Sequence, residues 1–303
     1  MNNNQNPRRR PNGNYSNQYS QQRPAGQTPP ARHHRGKKKK KANVFTVLIT
    51  IFIFAVIFTG LIFAAIWFSG VRYIKVQVSD DLYVKFLGNV DEDGNPYKGR
   101  IIYSDGISAN VNLDREEIAY SNGDVYSGEL DNLLKNGYGE MRYANGDVYE
   151  GYFTRDIIDG EGTYRFVSGD IYEGTFSNGK KDGYGIYTYA DGSVYSGTFE
   201  HDRKHGSGEY RHYTGEVYVG TYENDRKHGA GVYTWANGDT YEGDFVQDVR
   251  SGYGIYTWAN GEKYEGDFKN NIMNGSGTYS WPSGRVYTGY FENGIIIRTT
   301  EIE

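Results

Sequence analysis

Cysteine is absent from all 303 residues. Its absence removes disulfides, thiol nucleophiles and cysteine-built zinc sites together. For a β-protein held outside the cytoplasm, it also points away from an animal secretory pathway and towards a bacterial envelope, of the Gram-positive kind. Acid is absent from residues 1–41, which hold six Arg and five Lys and are formally +11. Charge of either sign is absent from Val44 to Phe68. The overall −5 is therefore +11 set against −16, the remainder having 22 basic and 38 acidic residues. Catalytic signatures are missing as well. There is no Gly-x-Ser-x-Gly elbow, no EF-hand spacing and no glycine cradle opening a helix.

What is present is a repeat of 23 residues without insertion or deletion. Tyrosine opens each copy, at 126, 149, 172, 195, 218, 241, 264 and 287, giving seven full copies and a shortened eighth. A fixed period of this length signals a repeat architecture, which offers a long uniform surface in place of one pocket. Position 3 is always Gly. Position 5 is Leu130 and then Phe or Tyr. Gly recurs at 12 and 14, and position 16 is Tyr except for Met141. Position 18 runs Tyr143, Phe166, Tyr189, His212, Trp235, Trp258, Trp281.

The spacing inside a copy is two, so positions 1, 3 and 5 share one strand face, as do 14, 16 and 18. Each copy reads as two short strands. Asn145-Gly146, Asp191-Gly192 and Asn260-Gly261 predict type I′ hairpin turns. Positions 6 to 11, polar and variable, predict a longer exposed loop. One face carries the rings, with glycines leaving room for them to lie across the backbone. The other carries Glu, Thr, Arg and Ser. The expected fold class is all-β: an elongated single-layer antiparallel sheet of tandem hairpins, curled so that the ring face partly covers itself. Two strands per copy advance it about 10 Å, so seven copies span on the order of 70 Å.

The pattern Y-x-G-x-F…G-x-G-x-Y…N-G-D-x-Y-x-G resembles the MORN repeat (membrane occupation and recognition nexus) over residues 126–294. That resemblance implies a scaffold or recognition surface. Family members are tied to dimerisation, to peptides held in an aromatic groove and to lipid head groups. No catalytic residue comes with the repeat.

Before the repeats, residues 1–41 read as a disordered basic cytoplasmic tail ending in Lys37, Lys38, Lys39, Lys40 and Lys41. Residues 42–70 read as one transmembrane helix, since about 20 apolar residues suffice to cross a bilayer. The span is too long, and the tail ahead of it too long, for a cleaved signal peptide. Trp67 and Tyr73 fall where an interfacial aromatic belt belongs, and the excess of basic residues before the span places the N-terminus in the cytoplasm and the repeats outside. The lysine run suits an anionic inner leaflet; without interleaved aromatics it does not read as a nucleic-acid site. Residues 71–125 read as a juxtamembrane β cap with degenerate repeats, followed by the array over 126–303. Gly294 to Arg298 reads as a closing strand.

Among candidate sites, His205 and His228 sit at position 11 of adjacent copies, about 10 Å apart, too far to share one metal ion. Glu173, Glu242 and Glu265 recur at position 2, which argues against a unique acid–base pair. No metal or cofactor is expected, nor enzyme activity. The candidate binding surface is the ring-rich C-terminal half: Tyr233, Trp235, Tyr256, Trp258, Tyr279 and Trp281, with Phe245 and Phe268. The expected function is a membrane-anchored scaffold that binds a protein partner or a second copy. A cell-wall glycan module, or a cytosol-facing lipid tether, is the alternative.

Overall fold

The computed structural model describes residues 44–77, 83–115, 117–131 and 133–297. The tail, its lysine run and the last six residues lie outside the described set. The described chain falls into two units that meet at Val56/Ile57, inside the helix Val44–Phe68. That helix is long and apolar enough to cross a membrane, and none of its residues is buried.

From Val71 onward the chain is one antiparallel sheet of 21 strands. Each strand pairs with the next in sequence, from Val71–Gln77 to Ile295–Ile297. The sheet does not close: the first strand pairs with Tyr83–Val90 and the last with Val286–Glu292. The first strands, up to Glu117–Tyr120, precede the regular repeats and bury Val84, Phe86, Ile101, Val111 and Ile118.

Each repeat contributes a strand of seven residues and one of nine, as in Ile171–Ser177 and Lys180–Thr188. The connections reverse the expectation from sequence. The tight type I′ turn is at positions 7 and 8, where both residues have positive φ: Arg155 and Asp156 (49° and 72°), His201 and Asp202 (51° and 73°), Gln247 and Asp248 (52° and 72°). The predicted loop over positions 6–11 is therefore a two-residue turn, followed at once by strand. At the Asn-Gly sites only the glycine is left-handed. Gly192 has φ 89°, its N–H donates to the Tyr189 carbonyl, and the Tyr189 N–H donates to Ser193. That is a type I turn closed by a glycine bulge, a three-residue hairpin loop.

A second irregularity shapes the core. Gly174 pairs with Gly185 and Phe176 with Lys181, so three residues oppose the single Thr175. The same register skip recurs in every full repeat, for example between Gly220 and Tyr222. It turns the position-1 tyrosine over the backbone, where its hydroxyl donates to the carbonyl of position 4. Tyr149 reaches Tyr152 at 3.0 Å, Tyr172 reaches Thr175 at 2.9 Å and Tyr218 reaches Thr221 at 3.0 Å. A buried phenol and a carbonyl at the bulge thus satisfy one another. Glycine is needed where the ring crosses: a Cβ at Gly231 would lie 2.6 Å from Cε2 of Tyr218. These glycines pair strand after strand, Gly197 with Gly208, Gly208 with Gly220, Gly220 with Gly231, in one row across the array.

Over that row the rings form a zipper. Tyr195 meets Phe199 and Tyr222 edge-on, with centroids 5.1 and 5.2 Å apart, and Tyr218 meets Tyr222 and Phe245 at 5.2 Å each. Such pairs add about 0.5–1.5 kcal/mol each beyond area burial. Tyr126 through Tyr264 are completely buried at position 1. Burial pushes the phenols of Tyr218, Tyr241 and Tyr264 up to about 12.

Side chains also tie successive copies at both ends of the strands. The carboxylate at position 8 accepts the position-10 amide of the preceding copy, as Asp202 does from Lys181 (2.9 Å) and Asp248 from Lys227 (2.9 Å). The carboxylate at position 22 accepts an amide and a phenol of the following copy. Asp239 takes the Ala259 N–H (2.9 Å) and the Tyr256 hydroxyl (2.7 Å), and the bond from Tyr256 leads in holding its pKa below the usual range. The aspartate of Asn-Gly-Asp is thus an inter-repeat tie.

Candidate binding surface

The ring face holds two files. The zipper of positions 1 and 5 is buried, and Phe245 and Phe268 belong to it at 3% and 4% exposure. The second file, positions 16 and 18, lies against the first and is half-buried. In the C-terminal half it runs without a break. Tyr233–Trp235, Tyr256–Trp258 and Tyr279–Trp281 have centroids 4.6 Å apart, and Trp235–Tyr256 and Trp258–Tyr279 bridge the copies at 5.1 and 5.3 Å. All six residues of this file are partly accessible.

Cations cross between the files. Position 10, expected in a loop, is in strand and points onto the ring face. Lys204 Nζ lies 5.3 Å from the Tyr195 centroid and 5.2 Å from that of Tyr210. Lys227 sits 5.7 Å from Tyr218 and 5.1 Å from Tyr233, and the Arg250 guanidinium 5.3 Å from Trp235 and 5.2 Å from Tyr256. Burial holds Lys181, Lys204 and Lys227 below the ordinary lysine value. The ring face is thus studded with partly desolvated cations held over π-faces. The sequence signal was available: Asn178-Gly179 and Asn293-Gly294 carry the I′ signature at positions 7 and 8. Placing the turn there puts position 10 in phase with 14, 16 and 18.

The opposite face is polar, with concavities of its own. A cleft of about 450 Å³ is lined by Tyr138, Glu150, Tyr152, Glu161, Glu173 and Tyr184 among others. Another of about 470 Å³ lies over Gly231 and Gly243 beside Glu242 and Tyr253. Glu173, Glu242 and Glu265 all fall on this face, and Glu265 accepts the Tyr253 hydroxyl at 2.7 Å. His205 and His228 do not converge. Each Nδ1 lies 3.3 Å from a glutamate of its own copy, Glu200 or Glu223.

The MORN repeat family model matches seven consecutive segments, 126–148, 149–171, 172–194, 195–217, 218–240, 241–263 and 264–284. Together they cover 159 of 303 residues, more than half of the chain. The chain belongs to the MORN-repeat family. No curated protein matches it. Among solved structures, the TCP domain of SAS-4 from Drosophila melanogaster, in complex with a proline-rich motif of Ana2, is 14% identical with a TM-score of 0.34; the match covers 52% of this chain and 88% of that one. A streptogramin B lyase is 12% identical, covering 74% and 84%, and virginiamycin B lyase from Staphylococcus aureus is 11% identical, covering 73% and 88%; both have a TM-score of 0.16. The seven MORN copies coincide with the regular part of the sheet, and both ring files and the cation row are built from MORN positions.

Proposed function

We propose that this chain is a single-pass, membrane-anchored MORN scaffold that captures a protein partner, or a second copy of itself, on the half-exposed ring file of its C-terminal half. It acts by binding, not catalysis. The N-terminus is cytoplasmic and the repeats are extracytoplasmic, in a bacterial envelope that the scaffold helps to organise. The observation that carries this reading is the unbroken run Tyr233–Trp235–Tyr256–Trp258–Tyr279–Trp281, accessible where the neighbouring zipper is sealed. Contiguous accessible aromatics are what partner surfaces use.

The test is in-cell crosslinking of the wild type against the triple variant Trp235→Ala, Trp258→Ala, Trp281→Ala, with the fold checked by circular dichroism. Loss of the crosslinked species with the fold intact supports the proposal; unchanged capture sinks it. Topology is tested with single cysteines at Ser16 and at Ser168, an exposed turn residue, labelled in intact cells by a membrane-impermeant maleimide. Labelling at Ser16 alone reverses the assigned topology. Ser193, in the corresponding region of the next copy, is unsuited because it is fully buried and accepts the Tyr213 amide.

A cell-wall glycan is the second reading. The flat rings of three tryptophans at successive repeats favour it, since sugar faces stack on such platforms. Co-sedimentation of the protein with isolated cell wall, lost in the same triple variant, separates the two readings.

A further inference from the structure

The polar face of the sheet changes sign along its length. In the repeats its acids, Glu150, Glu161 and Glu173 among them, outnumber bases such as Arg142 and Arg165. In the three strands nearest the helix, the same face carries Lys75, Lys85 and Arg100. None of these three has an acidic partner among the described residues. Lys98, a fourth cation there, is paired with Asp114 at 3.6 Å. Residues 78–82, which include Asp80 and Asp81, lie outside the described set.

Lys75 stands directly opposite Lys85, and both ammonium groups flank the Tyr83 ring at 4.7 Å. Like charges directly opposed on one face destabilise a sheet. The arrangement asks for an external anion. Apolar groups are interleaved with the cations: Tyr73 opposes Leu87, and Ile102 opposes Lys85, and these three are 62%, 57% and 41% exposed. Cations among an exposed tyrosine and aliphatics make the composition of a surface that sits at a bilayer interface.

Chain continuity supplies the location. The helix ends at Phe68 and the first strand starts at Val71. Gly70, at φ 77°, ends the helix in the left-handed region and lets the strand leave the helix axis. Arg72 fixes the joint by stacking 4.3 Å over Trp67 and donating to the Trp67 carbonyl.

We infer that the polar face of strands Val71–Gln77, Tyr83–Val90 and Pro96–Tyr103 docks on anionic lipid headgroups beside the helix, while the acidic face of the repeats is kept off that surface. The inference rests on reading Val44–Phe68 as a membrane span.

The test uses the full chain in vesicles. Since the protein has no cysteine, Leu87→Cys is labelled with an environment-sensitive fluorophore, and Thr278→Cys, on the same face within the repeats, serves as the control. Carbonate-resistant flotation reports the span separately, so its failure is distinguishable from failure of the docking. The headgroup-proximal quencher is a spin-labelled lipid. In phosphatidylcholine containing phosphatidylglycerol, quenching at position 87 should exceed that in phosphatidylcholine alone by about twofold or more, and fall back in high salt. Lys75→Glu with Lys85→Glu and Arg100→Glu should abolish the difference, and the corresponding glutamine variants should reduce it. Position 278 should remain unquenched throughout. Equal quenching in both lipids, persistence after charge reversal, or equal quenching at position 278 overturns the inference.

Discussion

A methyl group added at Gly231 isolates the steric core of the repeat. Gly231 pairs with Gly220, lies beneath the Tyr218 ring, and does not have a positive φ, so its backbone accepts alanine. The added Cβ would lie 2.6 Å from Tyr218 Cε2 and 2.7 Å from its Cζ. The ring cannot retreat, because it is completely buried and held edge-on by Tyr222 and Phe245 at 5.2 Å each, and its hydroxyl is tied to the Thr221 carbonyl. Overpacking of this kind costs about 1–3 kcal/mol. For a sheet of this size that is a fall of roughly 3 to 10 °C in Tm. The decisive measurement is a double-mutant cycle with Tyr218→Ala. That change alone removes a buried ring, at a cost of about 3–5 kcal/mol. With the ring gone, the three atoms nearest the added methyl, all from Tyr218, are gone. Gly231→Ala should then be neutral, or stabilising by about 0.4–1 kcal/mol through the stiffer unfolded chain. Thermal unfolding of the full chain in detergent, followed by tryptophan fluorescence and circular dichroism, gives all four corners. If Gly231→Ala costs as much without the ring as with it, the glycine row serves the backbone and not the tyrosines, and the account of the core is wrong.

Other expectations follow from the same geometry. The folded-state pKa of Tyr218, Tyr241 and Tyr264 is raised to about 12 by burial. Their contribution to stability is therefore complete below the unfolded phenol value of about 10 and is lost as pH climbs through 12. An alkaline melt tracking phenolate absorbance should be cooperative, and ionisation without loss of strand signal would contradict it. Asp239 has a depressed pKa, led by its bond from Tyr256. Its contribution is present above the ordinary aspartate value and lost as pH falls below it, so Asp239→Ala should cost about 1–3 kcal/mol at neutral pH and much less in acid; a pH-independent cost counts against the tie. Arg155 occupies a type I′ position at φ 49°. Arg155→Asn should stabilise by some tenths of a kcal/mol, because asparagine tolerates that region; a lower Tm would refute the turn assignment.

How far the sequence could be read depended on whether one copy's own residues carried the signal. The 23-residue period, the two strands per copy and the facing of rings against charges follow from alternation alone, which local sterics impose on any strand. The ring-bearing glycine rule was legible for the same reason: Gly at 3 and 14 sits in phase with Tyr at 1 and 16. The turns were misplaced because Asn145-Gly146 and its relatives look like a I′ pair. In fact the I′ pair is Arg155-Asp156, His201-Asp202 or Gln247-Asp248, whose strain is accepted because the Asp also ties back to position 10 of the copy before.

By itself the sequence determined the class of the protein: a β-repeat array with a long uncharged segment ahead of it and no cysteine chemistry. Tertiary structure alone decided which rings are sealed and which remain accessible. Sealing requires rings of neighbouring copies to interlock edge-on, so Phe245 and Phe268 vanish into a zipper while Trp235, Trp258 and Trp281 stay half-open. It also decided that Lys181, Lys204, Lys227 and Arg250 stand among the rings, because their direction depends on a turn and a register skip rather than on composition. The reversal of charge along the polar face depends on cross-strand neighbours such as Lys75 and Lys85, ten residues apart in the chain and directly opposed in the sheet.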